Sequence, residues 1–543
     1  MSNMFADTII VNASVHTLDP ARPGCDTIVM AGGRVVATGD AALLKEHRGS
    51  DTSIVDAQGH TVTPGLIDAH IHPIEGVEAT IGVDFGGVKT LEGFLAALRA
   101  EADRVLAHEP SGWVRGWNVD YGVFEGRPIT AELIEGAVRG LPTFLQLFDL
   151  HTVLASRAAL KAADITGPRR FPDSSEIVVT DEGLPTGELR EASAYALVAA
   201  AAPALTRAQA IGRAREIMMN LAKSGITAGS IMDGDIASLD FLDEIDSTDA
   251  GLPVRLVAAL GHKPGMDAQA VRDYLAAKHR SGRRWRGGLI KMFLDGVIDT
   301  GTGWMYEADT SGEGLYSFWP DPSEFPTTVK HYSDEGFQIA THAIGDRAIG
   351  VAIDAYIAAG VASTRSAPHR IEHLECLADQ DLPRLAGAGI TASMQPLHMQ
   401  WRNADGSDSW SSRLGPDRAS LAWRVKDILT SGAPLALGSD WPVAQYDVRI
   451  GMAWARLRRT PGQPDAHVFE PAQRLSPTET LKGFTLWAAR AQGDNDAGSI
   501  RPGYRADLTM WADDPLKVSG DQLIDVPITS TWVDGAVVFA GEE

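Results

Sequence analysis

Short apolar runs bounded by glycine and proline open the chain. "DTIIVNASVHTL", "TIVMAGGRVVATG" and "HTVTPG" fill most of residues 1–65 with β-type patterning and hardly any helical periodicity. The last 45 residues return to the same style in "ADLTMWAD" and "ITSTWVDGAVVFAG". The simplest inference is one small sheet domain assembled from both chain ends, residues 1–65 with 499–543.

Between these ends, apolar strand-like runs alternate with helical segments, the pattern of a parallel sheet with helices outside. "TRAQAIGRAREIMMNLAKSG" opens with a capping box (Thr206, Gln209), repeats Ile211, Ala214, Met218 and Leu221 at helical spacing, and stops at Gly225. "SPTETLKGFTLWAARA" has Ser476 and Glu479 as its capping box and Pro477 at the first helical position. Buried strands are expected at 66–72, 226–232, 253–260, 288–294, 338–344, 369–374, 390–396 and 434–440. Eight strands make an α/β fold of the (β/α)8-barrel type, here over residues 66–498. One run is left over, "TFLQLFDLHT" at 143–152, and it assigns roughly residues 110–200 to an inserted subdomain.

Charge and composition narrow the function. A net charge of −23 with no basic run disfavours nucleic acid as a partner. The N-terminus lacks the pattern of a signal peptide, and no stretch approaches the ~20 apolar residues of a membrane span. A soluble cytoplasmic protein acting on a small molecule is expected, and the chain leaves room for a homo-oligomer. Cys25 and Cys376 stand far apart, which suggests neither a disulfide framework nor a thiolate metal site.

In such a barrel, chemistry sits where strands end and loops begin. Strand one ends in His70-Ile71-His72, two imidazoles on one side of a strand. Strand five carries His342, strand six His373 and strand eight Asp440. One of these histidines alone reads as a hydrogen-bonded core residue, and Asp440 alone as a turn cap. Together they place nitrogen and carboxylate donors at one end of four strands, suited to Zn²⁺ or a related divalent ion in an open site.

A mononuclear site leaves Lys291 unexplained. It lies inside the apolar run "GGLIKMFLDG", where burial depresses its pKa and neighbouring cations disfavour its charge. A neutral amine can add carbon dioxide to form a carbamate whose two oxygens reach two metals. The alternatives are a lysine paired with Asp295 or another carboxylate, and a Schiff-base lysine.

"PGLIDAHIHP", "KMFLDG", "HAIGDRA", "RIEH", "LGSDWPV" and "GSIRPGYRADLTMW" resemble the metal-dependent amidohydrolase superfamily, and specifically its amidohydrolase-3 branch, which includes N-substituted formamide deformylase. "GWNVDYG", "FDLHTVLASRAAL" and "GLPTGELRE" extend the resemblance through the insertion. Arg169-Arg170-Phe171 and the following "PDSSEIVVTDEG" have no counterpart in the pattern, which leaves specificity open. The resemblance implies a composite β-sandwich beside a distorted TIM barrel, and a dinuclear centre, zinc by expectation. His70, His72 and Asp440 would hold the more buried metal and His342 and His373 the more exposed one, with carboxylated Lys291 between them.

The reaction so implied is hydrolysis of an amide-type C–N bond, in an N-substituted formamide or other N-acyl compound, by a metal-bridging hydroxide. Asp440 would serve as general base and then acid, and His151 of "FDLH" as partner of the oxyanion. Trp117, Trp304, Trp401 and Trp441 favour a hydrophobic or aromatic substituent. No arginine cluster or Gly-rich phosphate loop points to a phosphorylated substrate. A carbamate, urea, cyclic imide or lactone would fit the same metals. A mononuclear deaminase would leave Lys291 idle, and a non-catalytic barrel would be expected to lose ligands, whereas all are present.

Overall fold

A computed structural model describes residues 5–109, 111–148, 150–171, 175–360 and 367–541. Asp149 of the "FDLH" motif and residues 172–174 of the unassigned "PDSSEIVVTDEG" stretch lie outside the described residues. The chain forms two compact units, Met1–Pro73 with Arg215–Trp441 and Gln445–Glu543, and Ile74–Ala214 with Pro442–Ala444.

The larger unit is built on eight parallel strands: β1 (Leu66–Ile71), β2 (Ile226–Ile231), β3 (Arg255–Gly261), β4 (Trp285–Phe293), β5 (Gln338–Ala343), β6 (Arg370–His373), β7 (Thr391–Met394) and β8 (Leu435–Leu437). They pair in sequence order, and a bridge between Ile71 and Trp441 brings the last strand back beside the first, so the barrel is nearly closed. Each strand is buried over most of its length, which is why each reads as a continuous apolar run. Helices pack on the barrel, among them Glu324–Asp334 and Asp346–Ala358 against β5 and Leu486–Ala491 against β1 and β8. The helix Arg207–Lys223 has the expected cap: the Gln209 amide donates to Thr206 Oγ1 at 3.3 Å and the Thr206 amide to Gln209 Oε1 at 2.9 Å.

Both chain ends build two further sheets in this unit. The four-stranded one runs Arg34–Gly39, Thr27–Ala31, Thr8–Val11, Ser53–Asp56. In the six-stranded one, Thr61–Pro64 lies between Ser14–His16 and the C-terminal strand Leu508–Trp511. Ile10, Ile28 and Met30 from one sheet meet Val62, Leu508 and Trp532 from the other in one apolar core. The fold gathers Arg255, Arg284, Arg286 and Arg505 near the start of β3 and β4. Asp507, Asp534 and Asp494 pair with them at 2.8–3.3 Å, so the group is a salt-bridged seam.

The second unit has its own six-stranded sheet and a core that includes Phe85, Phe94, Phe124, Leu145 and Leu147. The run at 143–152 enters it as Thr143–Leu147, antiparallel to Thr152–Ala155. Among the described residues, no helix is long and apolar enough to cross a membrane.

Candidate metal centre

Strand β1 and the turn after β8 are tied together through their backbones. Asp68 Oδ1 accepts the amides of His70 at 3.1 Å and Ser439 at 2.9 Å. The Asp440 amide donates to the His70 carbonyl, and the His72 amide to the Trp441 carbonyl, each at 2.8 Å. This approach requires Gly438, because a Cβ there would lie 2.7 Å from the His70 nitrogen. β8 stops at Leu437, so Asp440 sits three residues beyond it rather than at the strand end, on left-handed backbone with φ 64°. The result is a tight cluster: His70 Nε2 lies 3.2 Å from His72 Nε2, and Asp440 Oδ1 lies 3.3 Å from the first and 3.0 Å from the second.

His373 closes this group from β6. Its Nδ1 is 3.8 Å from Asp440 Oδ2, and its ring is 4.8 Å from that of His70 and 4.4 Å from that of His342. It too has a left-handed backbone, with φ 75°. Burial holds His70 and His342 neutral, pushed down to about 4 and about 3, and lowers His373 well below the ordinary imidazole range. Burial also works against charge on His72, but Asp233 and Asp440 outweigh it and raise that ring to about 10. His342 Nε2 meets the Gly296 carbonyl at 3.1 Å.

Lys291 is buried in β4, and its Nζ has no hydrogen-bond partner among the described residues. Burial lowers the amine to about 8. Asp295 does not pair with it. That carboxylate accepts the amides of Trp304 and Gly345 at 2.8 Å and Ile344 at 3.1 Å. The Lys291 ammonium instead stands 4.8 Å from the centre of the Phe293 ring.

These groups suit a divalent metal on their own chemistry. His70, His373 and Asp440 each present a ligand atom within 4.8 Å of the others. Lys291 Nζ and His373 Nδ1 are buried polar atoms without hydrogen-bond partners among the described residues, which a coordinated cation would satisfy. The family model described as the amidohydrolase family matches residues 53–539. The chain belongs to this family.

The amidohydrolase is 29% identical to Protein LONG AFTER FAR-RED 3 of Arabidopsis thaliana, an alignment covering 99% of this chain and 92% of that one. It is 26% identical to N-substituted formamide deformylase of Arthrobacter pascens, over 98% of each chain. A metal-dependent hydrolase from Pyrococcus horikoshii OT3 shares its fold with a TM-score of 0.73 and 21% identity, covering 94% of this chain and 99% of that one. This amidohydrolase is therefore an enzyme acting on C–N bonds, of a family that uses divalent metals such as zinc.

Further side chains of the amidohydrolase face this centre without having stood out in its sequence. Glu372 Oε2 meets His70 Nδ1 at 2.7 Å. Asp233, just past β2, has Oδ1 3.5 Å from His72 Nδ1. His398, buried on the 3-10 turn Pro396–Trp401, has Nε2 3.6 Å from Asp440 Oδ2, and its ring lies nearly parallel to His373 at 6.2 Å. The sequence signal for Glu372 and Asp233 is their place at the same strand ends. His398 lies four residues beyond β7, where strand alternation no longer applies.

The expected aromatic contacts divide by location. Trp304 and Trp441 are buried, and Trp401 is partly exposed with its ring 5.1 Å from His398. Trp117 belongs to the second unit, in the strand Val114–Val119. His151 also lies there, where Glu191 Oε2 is 2.9 Å from its Nδ1 and the Glu191 amide donates to its carbonyl at 2.7 Å. Phe293 and Phe318, which the sequence did not single out, are each 39% exposed. The Phe293 ring is 5.0 Å from that of His342, and a Cβ on Gly296 would come 2.9 Å from the tip of Phe318, so both flank the His342 side of the centre.

Proposed function

We propose that this amidohydrolase cleaves the C–N bond of an N-substituted formamide or other N-acyl compound carrying a hydrophobic or aromatic substituent. The observation that carries this reading is the convergence of His70, His72, His373 and Asp440 beside a buried, unpartnered Lys291. His70, His72 and Asp440 would hold one divalent ion and His342 and His373 a second, with Lys291, carboxylated by carbon dioxide, contributing to both. Zinc suits the all-nitrogen-and-oxygen donor set. Bound there, the ions supply Lewis acidity toward a water and toward the substrate carbonyl.

The protein's own part follows from its side chains. Asp440 is held well below the usual carboxylate range against the cost of its burial, with the charged His72 ring 3.0 Å from its Oδ1 and His70 Nε2 at 3.3 Å. It is the group to take a proton from the attacking water and return it to the leaving nitrogen. Phe293 and Phe318 offer apolar faces to the substituent, and the likeness to N-substituted formamide deformylase supports the acyl side of the assignment.

The test joins metal analysis and intact mass of the protein purified in bicarbonate with a panel of formamides, N-acyl amides, carbamates, ureas, cyclic imides and lactones sharing one aromatic group. About two metals per chain, a carboxylated lysine and fastest turnover of formamides or amides are expected. One metal or none with full activity would refute the dinuclear reading. Equal turnover of lactones would refute the specificity.

A further inference from the structure

Barrel interiors of this type are ordinarily filled by layers of branched apolar side chains. This one buries an ion pair. Arg370 and Glu372 are the first and third residues of β6, so their side chains share one face of the strand, and both are closed off from solvent. Arg370 Nε donates to Glu372 Oε1 at 2.5 Å, and Nη2 donates to Oε2 at 3.2 Å. The rest of the fork is also engaged. Nη2 donates to Ser393 Oγ of β7 at 2.8 Å and to the Ala69 carbonyl of β1, and Nη1 donates to Ser230 Oγ of β2 at 3.3 Å. Ser230 Oγ in turn donates to Gln492 Oε1 at 3.0 Å. One guanidinium thus joins β1, β2, β6 and β7 across the barrel.

Stability does not explain this arrangement, because well-packed apolar residues of similar volume usually serve a core as well as or better than a buried ion pair. Its output is directional. Glu372 Oε2, fixed by Arg370, lies 2.7 Å from His70 Nδ1, so that nitrogen carries the proton. The opposite nitrogen, Nε2, then presents its lone pair on the side of Asp440, 3.3 Å away. The Ala69 carbonyl that Arg370 also grips belongs to the residue just before His70, so side chain and backbone of the ligand strand are set by the same group.

We infer that Arg370 is a positioning residue of the metal centre: through Glu372 and the Ala69 carbonyl it fixes the tautomer and orientation of His70. This rests on the reading of His70 as a metal ligand. The effect acts through outer partners of a ligand, whose loss typically weakens metal binding about 10- to 100-fold.

The experiment uses full-length protein stripped with chelator, then titrated with zinc against a competing indicator and with cobalt(II) to record visible bands. Arg370→Met alone leaves the Glu372 charge buried and unpaired, so folding is guarded by two further variants. Arg370→Met/Glu372→Gln makes the pair neutral at similar volume, and Arg370→Lys keeps the charge but loses the fork. Folded double variant is expected to bind zinc about 10- to 100-fold more weakly with shifted cobalt bands, and Arg370→Lys to show the same changes to a smaller degree. Wild-type zinc affinity and unchanged cobalt bands in the folded variants would overturn the assignment while leaving the metal reading intact. Should the double variant not fold, Arg370→Lys decides in the same way. A wild-type protein that binds neither ion would overturn both.

Discussion

Replacing Lys291 with methionine should give a protein that is inactive yet, without metal, more stable than wild type. Burial lowers the amine from 10.5 to about 8, a difference that corresponds to about 3 kcal/mol. The sign follows from which state holds the proton more tightly. The unfolded chain does, so below about pH 8 the folded wild type carries the whole penalty of a buried charge. Between about pH 8 and about pH 10.5 the penalty shrinks as the folded amine titrates first, and above that range it is gone. Methionine has similar length and no charge, so in metal-free, carbonate-free protein the variant should exceed wild type by about 3 kcal/mol near pH 7 and converge on it near pH 10.5. Urea unfolding of chelator-treated proteins across this pH range, read from tryptophan fluorescence, measures the difference. A variant no more stable than wild type at neutral pH, or an advantage that does not shrink with pH, would refute the idea that this amine is uncompensated in the barrel.

Three further outcomes are expected. Phe293→Ala and Phe318→Ala should lower kcat/KM for aryl-substituted amides by about 3- to 10-fold while sparing N-methyl analogues, the scale of one aromatic contact; equal losses for both substrates would count against an apolar subsite. His398→Ala, which removes an unpartnered Nε2 lying 3.6 Å from Asp440, should cost about 100-fold or more in kcat with metal content unchanged, and wild-type kcat would reduce His398 to a packing residue. Gly438→Ala places a Cβ 2.7 Å from the His70 nitrogen and 2.9 Å from Asp68 Oδ1, so destabilisation of about 1–3 kcal/mol together with metal loss is expected; normal stability and metal content would show that the turn can shift.

The eight barrel strands are legible in the sequence because strands buried on both faces appear as apolar runs between glycines and prolines. Their ends are less so. Pro434 to Asp440 reads as one strand, but only Leu435–Leu437 pairs, since the backbone must turn at Gly438 to bring Asp440 back over His70. His70, His342, His373 and Asp440 can be picked out because together they put donor atoms at the same end of four strands, and Lys291 because it interrupts an apolar run. Arg370 cannot, because its meaning depends on Ser230, Ser393 and Ala69 from three other strands. Nor does sequence say which aromatic ring is exposed: Trp304 and Trp441 are buried while Phe293 keeps an open face.

The buried charges of the barrel share a common logic. Asp68 and Asp295 accept backbone amides, yet burial still raises them to about 7 and about 8, so neither is comfortable as an anion. Lys291 is unpartnered, Arg370 and Glu372 are fully desolvated, and His373 and Asp440 sit on left-handed backbone that only glycine adopts without strain. A core selected for stability alone would avoid each of these features. Asp68, Asp295 and the Arg370–Glu372 pair each fix backbone or side chains adjoining His70, His342 or Asp440, so their cost is concentrated where donor atoms must be held at short range. The apolar cores elsewhere, in the end sheets and around the barrel, offset that cost. This is why the substitutions most damaging to the metal centre need not be the most damaging to the fold.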